Sequence, residues 1–275
     1  MNKKILTLLS LIASLLINCN IQVHAKRIQE DQKEILLTEL DNLNITNEST
    51  KDLKKLKEII ETKKPKIIYI EQWILLEPDN KKLLKKLHKI SKKINSKLFL
   101  VVGKNSWFGD RGIANTIDYF NYYNKHIDGI VLRVEPNKIN VWKDDISIIA
   151  QILNQMLDAY VGISKEVKNR NKIFTAEFPF WYIDFIGPLR PFPEDACVCA
   201  NRISLLIDKP EKLKELKNWN NVSCLYSINL TKRATGHSEE ELNEIYNKLN
   251  KELSFYSNFN GFIIDSDSNI GSQLP

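Results

Sequence analysis

Seven short apolar segments alternate with charged amphipathic ones along the chain, and each is rich in β-branched or aromatic residues. No glycine-rich phosphate loop follows any of them. Together these observations predict an α/β fold, a (β/α)8 TIM-type barrel of parallel strands with outer helices. An open doubly wound sheet is the alternative, and the missing phosphate loop counts against it.

Taken in order, the first element is the ambiguous one. "EILLTELD" at 34–41 reads as a strand, yet Ile28, Ile35, Leu36, Leu40 and Leu43 also fit one face of a helix. Counted as a strand, it raises the total to eight, the number a barrel of roughly 250 residues requires. The others are "KIIYIEQ", "KLFLVVG", "IDGIVLRVE", "KIFTAEF", "RISLLID", "SCLYSIN" and "FNGFIIDS", each the length of a buried strand. Helical patterns fall at 50–63, at 79–94 behind Pro78 with Asp79 as cap, at 143–169, and at 238–257. The last opens on "SEEE", whose carboxylates suit the positive end of a helix.

The opening "MNKKILTLLSLIASLLINCNIQVHA" has the form of a targeting segment. Lys3 and Lys4 precede an apolar run, Ile5 to Ile17, that is too short to span a bilayer. Val23-His24-Ala25 fits a signal peptidase site, which makes 1–25 a signal peptide and 26–275 a single barrel domain. Lipoprotein processing at Cys19 is the rival, and it would leave a lipid anchor as the chain's only membrane contact. An uncleaved N-terminal anchor is a third possibility. Either form of processing implies export: a periplasmic, secreted or lipid-anchored protein. No later segment reads as apolar enough to cross a membrane.

Net charge is +6, and +4 without Lys3 and Lys4. The lysines recur on predicted helix faces ("KDLKKLKEIIETKKPK", "NKKLLKKLHKISKKINSK"), the pattern of a solvated surface, so no nucleic-acid partner is expected. Cys197, Cys199 and Cys224 follow the signal, and export allows one bridge between Cys224 and a member of "CVC". With no C-x-x-C pair and four scattered histidines, neither a zinc site nor a cofactor is implied.

In a barrel of this kind chemistry sits where strands end and loops begin. Those ends carry Glu39 and Asp41, Glu71-Gln72-Trp73, Lys104 to Trp107, Glu135-Pro136-Asn137, Glu177 with Phe180-Trp181-Tyr182, Asp208, Asn229, and Asp265-Ser266-Asp267. Carboxylates and tryptophans collect there although 40 residues of the chain are basic. That asymmetry predicts a polar, sugar-sized cleft. Side chains alternate along a strand, so Val131, Arg133 and Glu135 share a face, as do Tyr69 with Glu71, Thr175 with Glu177, and Ile263 with Asp265. Pointed inward, Arg133, Glu71, Glu135, Glu177 and Asp265 converge near the barrel mouth. The bland version of this convergence is a buried ion cluster in which Arg133 neutralises the carboxylates.

Glycoside hydrolysis needs two carboxyl groups, one protonated toward the leaving oxygen and one ionised. Glu135, Glu177 and Asp265 are the catalytic candidates. Arg133, Glu71, Trp73, Trp107, Trp181, Tyr182 and Asn229 are the candidates for holding a carbohydrate, the tryptophans by stacking on sugar rings.

"DGIVLRVE" resembles the signature of the family 18 glycoside hydrolases, the chitinase-like barrels, whose fourth strand reads D-x-x-D-x-D-x-E and ends in a catalytic glutamate. Asp128 stands at its first position and Glu135 at its last. "KLFLVVGK" resembles the preceding strand, with Gly103 at the first glycine of its Ser-x-Gly-Gly ending. "KIIYIEQW", "KIFTAEFPFWY" and "GFIIDS" fall where the family's second, fifth and last strands belong, though the last lacks the usual tryptophan. The resemblance implies a catalytic role for Glu135. Val131 and Arg133 replace the two middle acids, however, and an arginine cannot orient an acetamido group as internal nucleophile. Three readings follow: a barrel glycosidase with Glu177 or Asp265 partnering Glu135, a chitinase-like barrel that binds glycans without cleaving them, and an unrelated barrel enzyme.

Overall fold

A computed structural model of the chain describes residues 33–36, 54, 57, 58, 60–62, 65–71, 80–142, 145–182, 192–220 and 222–265. The expected signal segment, Glu39, Asp41, Trp73 and the Asp79 cap lie outside the described residues.

Eight strands run in chain order around a closed barrel. They are β1 (Lys33–Leu36), β2 (Ile67–Glu71), β3 (Lys97–Val102), β4 (Gly129–Arg133), β5 (Ile173–Pro179), β6 (Arg202–Leu206), β7 (Leu225–Asn229) and β8 (Phe259–Asp265). All pairings are parallel, and the ambiguous first segment is a strand that closes the ring by pairing with both β2 and β8. The expected α/β TIM-type fold is what forms.

Helices α1 (Asn80–Lys93), α2 (Asp110–Tyr123), α3 (Ile146–Asn169), α4 (Phe192–Cys199) and α5 (Glu239–Leu253) lie between strands. A ten-residue 3-10 segment, Pro210–Trp219, follows β6. The "SEEE" signal is a capping box: Ser238 Oγ accepts from Glu241 N–H at 3.2 Å, and the Glu241 carboxylate accepts from Ser238 N–H at 2.8 Å. The expectation that no later segment could span a membrane needs correcting for α3, which is long and apolar enough by length and composition. Its apolar residues Leu153, Met156, Tyr160 and Ile163 instead pack in the core, so its hydropathy is that of a core helix.

Strand parity sorts the side chains into two layers. Ile68, Ile70, Leu98, Leu100, Ile130, Leu132, Phe174, Ala176, Ile203 and Leu205 face outward and join the helices in the main core. Ile67, Tyr69, Phe99, Val101, Val131 and Ile263 fill the interior of the barrel. Toward β5–β7 that interior turns polar, with Thr175, Glu177, Arg202, Ser204, Ser227 and Asn229 all buried. Gly129 belongs to the tight floor of the barrel, where an added Cβ would lie 2.7 Å from Ile173 O and 2.8 Å from the Phe99 ring.

Cys197 in α4 bridges Cys224 just before β7, and Cys199 is a buried thiol. This settles the choice within "CVC", and closing a loop of 27 residues stabilises the fold by about 3.5 kcal/mol on the chain-entropy account.

Candidate active site

The site is assembled from residues at the C-terminal ends of β2, β4, β5 and β7. Arg133 is the last residue of β4 and lies in register with Glu177 on β5, which is in turn in register with Ser204 on β6. The Arg133 guanidinium donates from one terminal nitrogen to Glu71 Oε1 at 2.8 Å and from Nε to Glu177 Oε1. One cation thus spans two inward carboxylates that are 5% and 2% exposed. Burial works against the charge on Arg133, but the Glu177 and Glu71 carboxylates more than offset it and hold the guanidinium protonated well beyond its ordinary range.

Glu177 is further satisfied at its second oxygen. Oε2 accepts from Ser204 Oγ at 2.6 Å and Asn229 Nδ2 at 2.8 Å. Asn229 is itself fixed, because its Oδ1 accepts from Thr231 N–H at 3.0 Å and Thr231 Oγ1 at 2.8 Å. Both oxygens of Glu177 are therefore taken up by donors, one of them a guanidinium.

Glu135 differs. β4 ends two residues before it, and its backbone has already left the strand (φ −122°, ψ 72°) as it leads into the turn Pro136–Lys138. The alternation that groups Arg133 with Glu135 therefore stops short of the glutamate. Arg133 engages Glu71 and Glu177 rather than Glu135. Glu135 is buried, 5% exposed, with Lys138 Nζ 2.5 Å from its Oε1. That approach lies outside hydrogen-bond geometry, and Oε1 accepts no hydrogen bond from any described residue. Its buried Oε1 is thus held by one ion pair and not by a set of hydrogen bonds.

Gly103, directly after β3, makes room for this arrangement. Its φ is +135°, and a Cβ there would sit 2.0 Å from the carbonyl oxygen of Arg133. The close approach of the two strand ends sets where Arg133 begins its reach.

The remaining candidates are distributed as follows. Trp181 is 1% exposed, with its Nε1 donating to Asp208 Oδ1 at 2.8 Å and Lys209 Nζ 3.6 Å above its ring. Tyr182 is buried and donates its hydroxyl to Asn137 Oδ1. Trp107 is buried beside Tyr119, in the loop between β3 and α2. Asp265 is the last residue of β8, and its backbone pairs with Leu36. Asp128, at the other end of β4, takes Lys92 Nζ at 2.7 Å and Leu98 N–H at 3.0 Å. Sequence reading missed Ser204, Lys138 and Lys209 as parts of this neighbourhood, and named Asn137 at a strand end without giving it a role. Ser204 alone had a signal, since it sits at an inward position of a strand. Among the described residues, no group of three or more His, Cys, Asp or Glu is placed to hold a metal ion.

No protein-family model matches the sequence, and no curated protein matches it significantly. Among solved structures, the chain is similar to the C-terminal domain of a candidate chitinase from Desulfitobacterium hafniense, with a TM-score of 0.51, 10% identity, and coverage of 73% of this chain and 67% of that one. Catalytic domain 2 of the Group II chitinase of Ostrinia furnacalis overlaps with a TM-score of 0.46, 11% identity, and coverage of 64% and 58%. Thiamine phosphate pyrophosphorylase from Pyrococcus furiosus overlaps with a TM-score of 0.43, 13% identity, and coverage of 86% of each chain. At such identities the likeness is one of fold alone.

Proposed function

We propose that the chain is an exported, glycoside-hydrolase-like barrel that acts on glycosidic bonds of a polysaccharide or glycan, with Glu135 as the general acid and Glu177 as its ionised partner. The observation that carries this reading is the unequal treatment of two carboxyls at neighbouring strand ends. Glu177 accepts from Arg133, Ser204 and Asn229, whereas the buried Glu135 Oε1 accepts no hydrogen bond and is met by the Lys138 ammonium alone, at 2.5 Å and outside hydrogen-bond geometry. Splitting two carboxyls between an ionised and a proton-exchanging role is what glycoside hydrolysis requires. The barrel shared with the Desulfitobacterium chitinase domain agrees with the reading without selecting it. Export rests on the signal-like first 25 residues, and the mature N-terminus tests it: Lys26 for peptidase cleavage, or a lipidated Cys19 for anchoring.

A second reading has its own observation. Arg133 occupies the position of a family acid and draws Glu71 and Glu177 into one cluster, although the burial of Trp107 and Trp181 counts against their stacking on a sugar. That is also how a barrel that binds glycans without cleaving them would look. The purified mature protein should be incubated with peptidoglycan fragments, chitin oligomers, neutral glucans and uronate polymers, and new reducing ends counted. Release from one class supports the hydrolase. Affinity for one class with no release supports the binding barrel, and neither affinity nor release rules out both.

A further inference from the structure

A row of four aromatic rings runs from the core to the rim of the barrel mouth. Tyr160 on α3 stacks on Phe178 of β5, with centroids 6.3 Å apart and planes 19° apart. Phe178 stacks on Tyr182 at 6.2 Å and 9°, and Tyr182 stacks on Trp142 at 5.5 Å and 28°. Tyr160, Phe178 and Tyr182 are fully buried. Trp142, just beyond the turn Pro136–Lys138, ends the row and is partly exposed. Its backbone N–H donates to Ile139 O at 3.1 Å, and Val141 beside it is 56% exposed.

Trp142 differs from the other described tryptophans. Trp107, Trp181 and Trp219 are buried, so no sugar reaches their faces without the loops moving. Trp142 lies along Tyr182 and still meets solvent. The same tyrosine fixes a polar group nearby, because its hydroxyl donates to Oδ1 of Asn137, two residues beyond Glu135. Asn137 is partly exposed, and its Nδ2 donates to no described residue. Tyr182 thus holds a flat apolar surface against its ring and an amide donor at its hydroxyl.

We infer that Trp142 and Asn137 form a rim subsite beside Glu135 that takes one gluco-configured pyranose of the glycan, a C–H face of the sugar lying on the indole and a hydroxyl accepting from Asn137 Nδ2. This inference rests on the glycan-active reading of the site and gives it the stacking residue that Trp107 and Trp181 are too buried to supply. The ring substituents of such a sugar are equatorial, which leaves C–H groups on its faces and hydroxyls at its edge. A flat aromatic surface suits the first and a placed amide the second. The buried rings behind Trp142 hold the indole in place before the sugar arrives, which lowers the ordering cost of binding.

The test is titration calorimetry of the mature protein with chitin oligomers and β-linked glucose oligomers, a fructofuranose oligomer serving as the comparison, with reducing ends counted on the same samples. Trp142→Phe keeps a flat ring, and Trp142→Leu keeps apolar cover over Tyr182 without one. Both should melt close to the parent. The parent should bind a pyranose oligomer in preference to the fructofuranose one. Trp142→Phe should retain most of that affinity, while Trp142→Leu should lose about tenfold, the scale of one aromatic stack with its buried area. Asn137→Asp tests the site without touching the indole: it still accepts from Tyr182 but has no amide to donate, and it should bind more weakly than the parent. Equal affinity in the parent and Trp142→Leu, or equal losses in Trp142→Phe and Trp142→Leu, overturns the inference, because Trp142 then only covers Tyr182. Parental affinity in Asn137→Asp, or binding to none of the pyranose oligomers, overturns it too. Cleavage of an oligomer by Trp142→Leu with parental KM overturns the inference and leaves the hydrolase reading intact. Binding that depends on Trp142, with no cleavage, upholds the inference and replaces the hydrolase with the binding barrel.

Discussion

Strand β4 carries an acid near each end, and the two are used differently. Asp128, one residue before the strand, is saturated: Lys92 Nζ at 2.7 Å on one oxygen and Leu98 N–H at 3.0 Å on the other. Burial alone would raise its pKa, but the Lys92 and Leu98 hydrogen bonds win and hold it below the ordinary 3.8. Glu135, two residues past the strand, is more deeply buried, and its Oε1 is met by the Lys138 ammonium at 2.5 Å, outside hydrogen-bond geometry. Burying a carboxyl without full satisfaction is costly, and folds retain the cost where the group has work to do. The acid at the base of the strand fastens β3 to β4. The acid at the mouth is the one proposed for chemistry.

The largest effect is expected between them, at Arg133. Replacing it with Met leaves Glu71 and Glu177 buried side by side without their cation. That should cost about 3–5 kcal/mol, and roughly 10 °C in melting temperature for a chain of this size. A small loss would mean that the carboxylates readily take up protons and that the cluster is no structural clamp. Gly103→Ala comes next. With φ at +135° and the Arg133 carbonyl 2.0 Å from the new Cβ, the strand end must shift, at about 2 kcal/mol or more. A structure of that variant should show Arg133 displaced from Glu177.

Asp128→Ala should cost about 1–2 kcal/mol, mostly from Leu98 N–H left without its acceptor. The pH dependence has a definite sign. A carboxyl with a depressed folded pKa contributes its full stability above the unfolded value of 3.8 and loses it as pH falls through the lower folded value. Denaturant midpoints of parent and Asp128→Ala should therefore converge below about pH 3.8 and stay apart above it. The smallest effect on stability is expected at Glu135→Gln, no more than about 1 kcal/mol, because its Lys138 partner is half exposed.

The same strand shows how far sequence reading reaches. Alternation correctly turned Tyr69, Val131 and Ile263 inward, because a fully buried strand has only two faces. It also brought Arg133, Glu71 and Glu177 to one place. It could not say which carboxylates Arg133 would choose, since that depends on the stagger between strands. It failed beyond Arg133, where the backbone leaves the strand and parity no longer applies. Helix α2 went unread because its buried positions are Gly112, Thr116, Phe120 and Tyr123, which do not make an apolar stripe. The ties between Tyr182 and Asn137 and between Trp181 and Asp208 join residues 45 and 27 apart, and nothing local marks them.

The most direct test sets the two ends of β4 side by side: melting temperature and reducing-end release, on the best glycan found, for parent, Glu135→Gln and Asp128→Asn. The account predicts that Glu135→Gln melts close to the parent yet loses about 10²–10⁴-fold in turnover, while Asp128→Asn melts lower and turns over normally. Full activity in Glu135→Gln would contradict it, as would a loss of activity in Asp128→Asn out of proportion to its loss of fold.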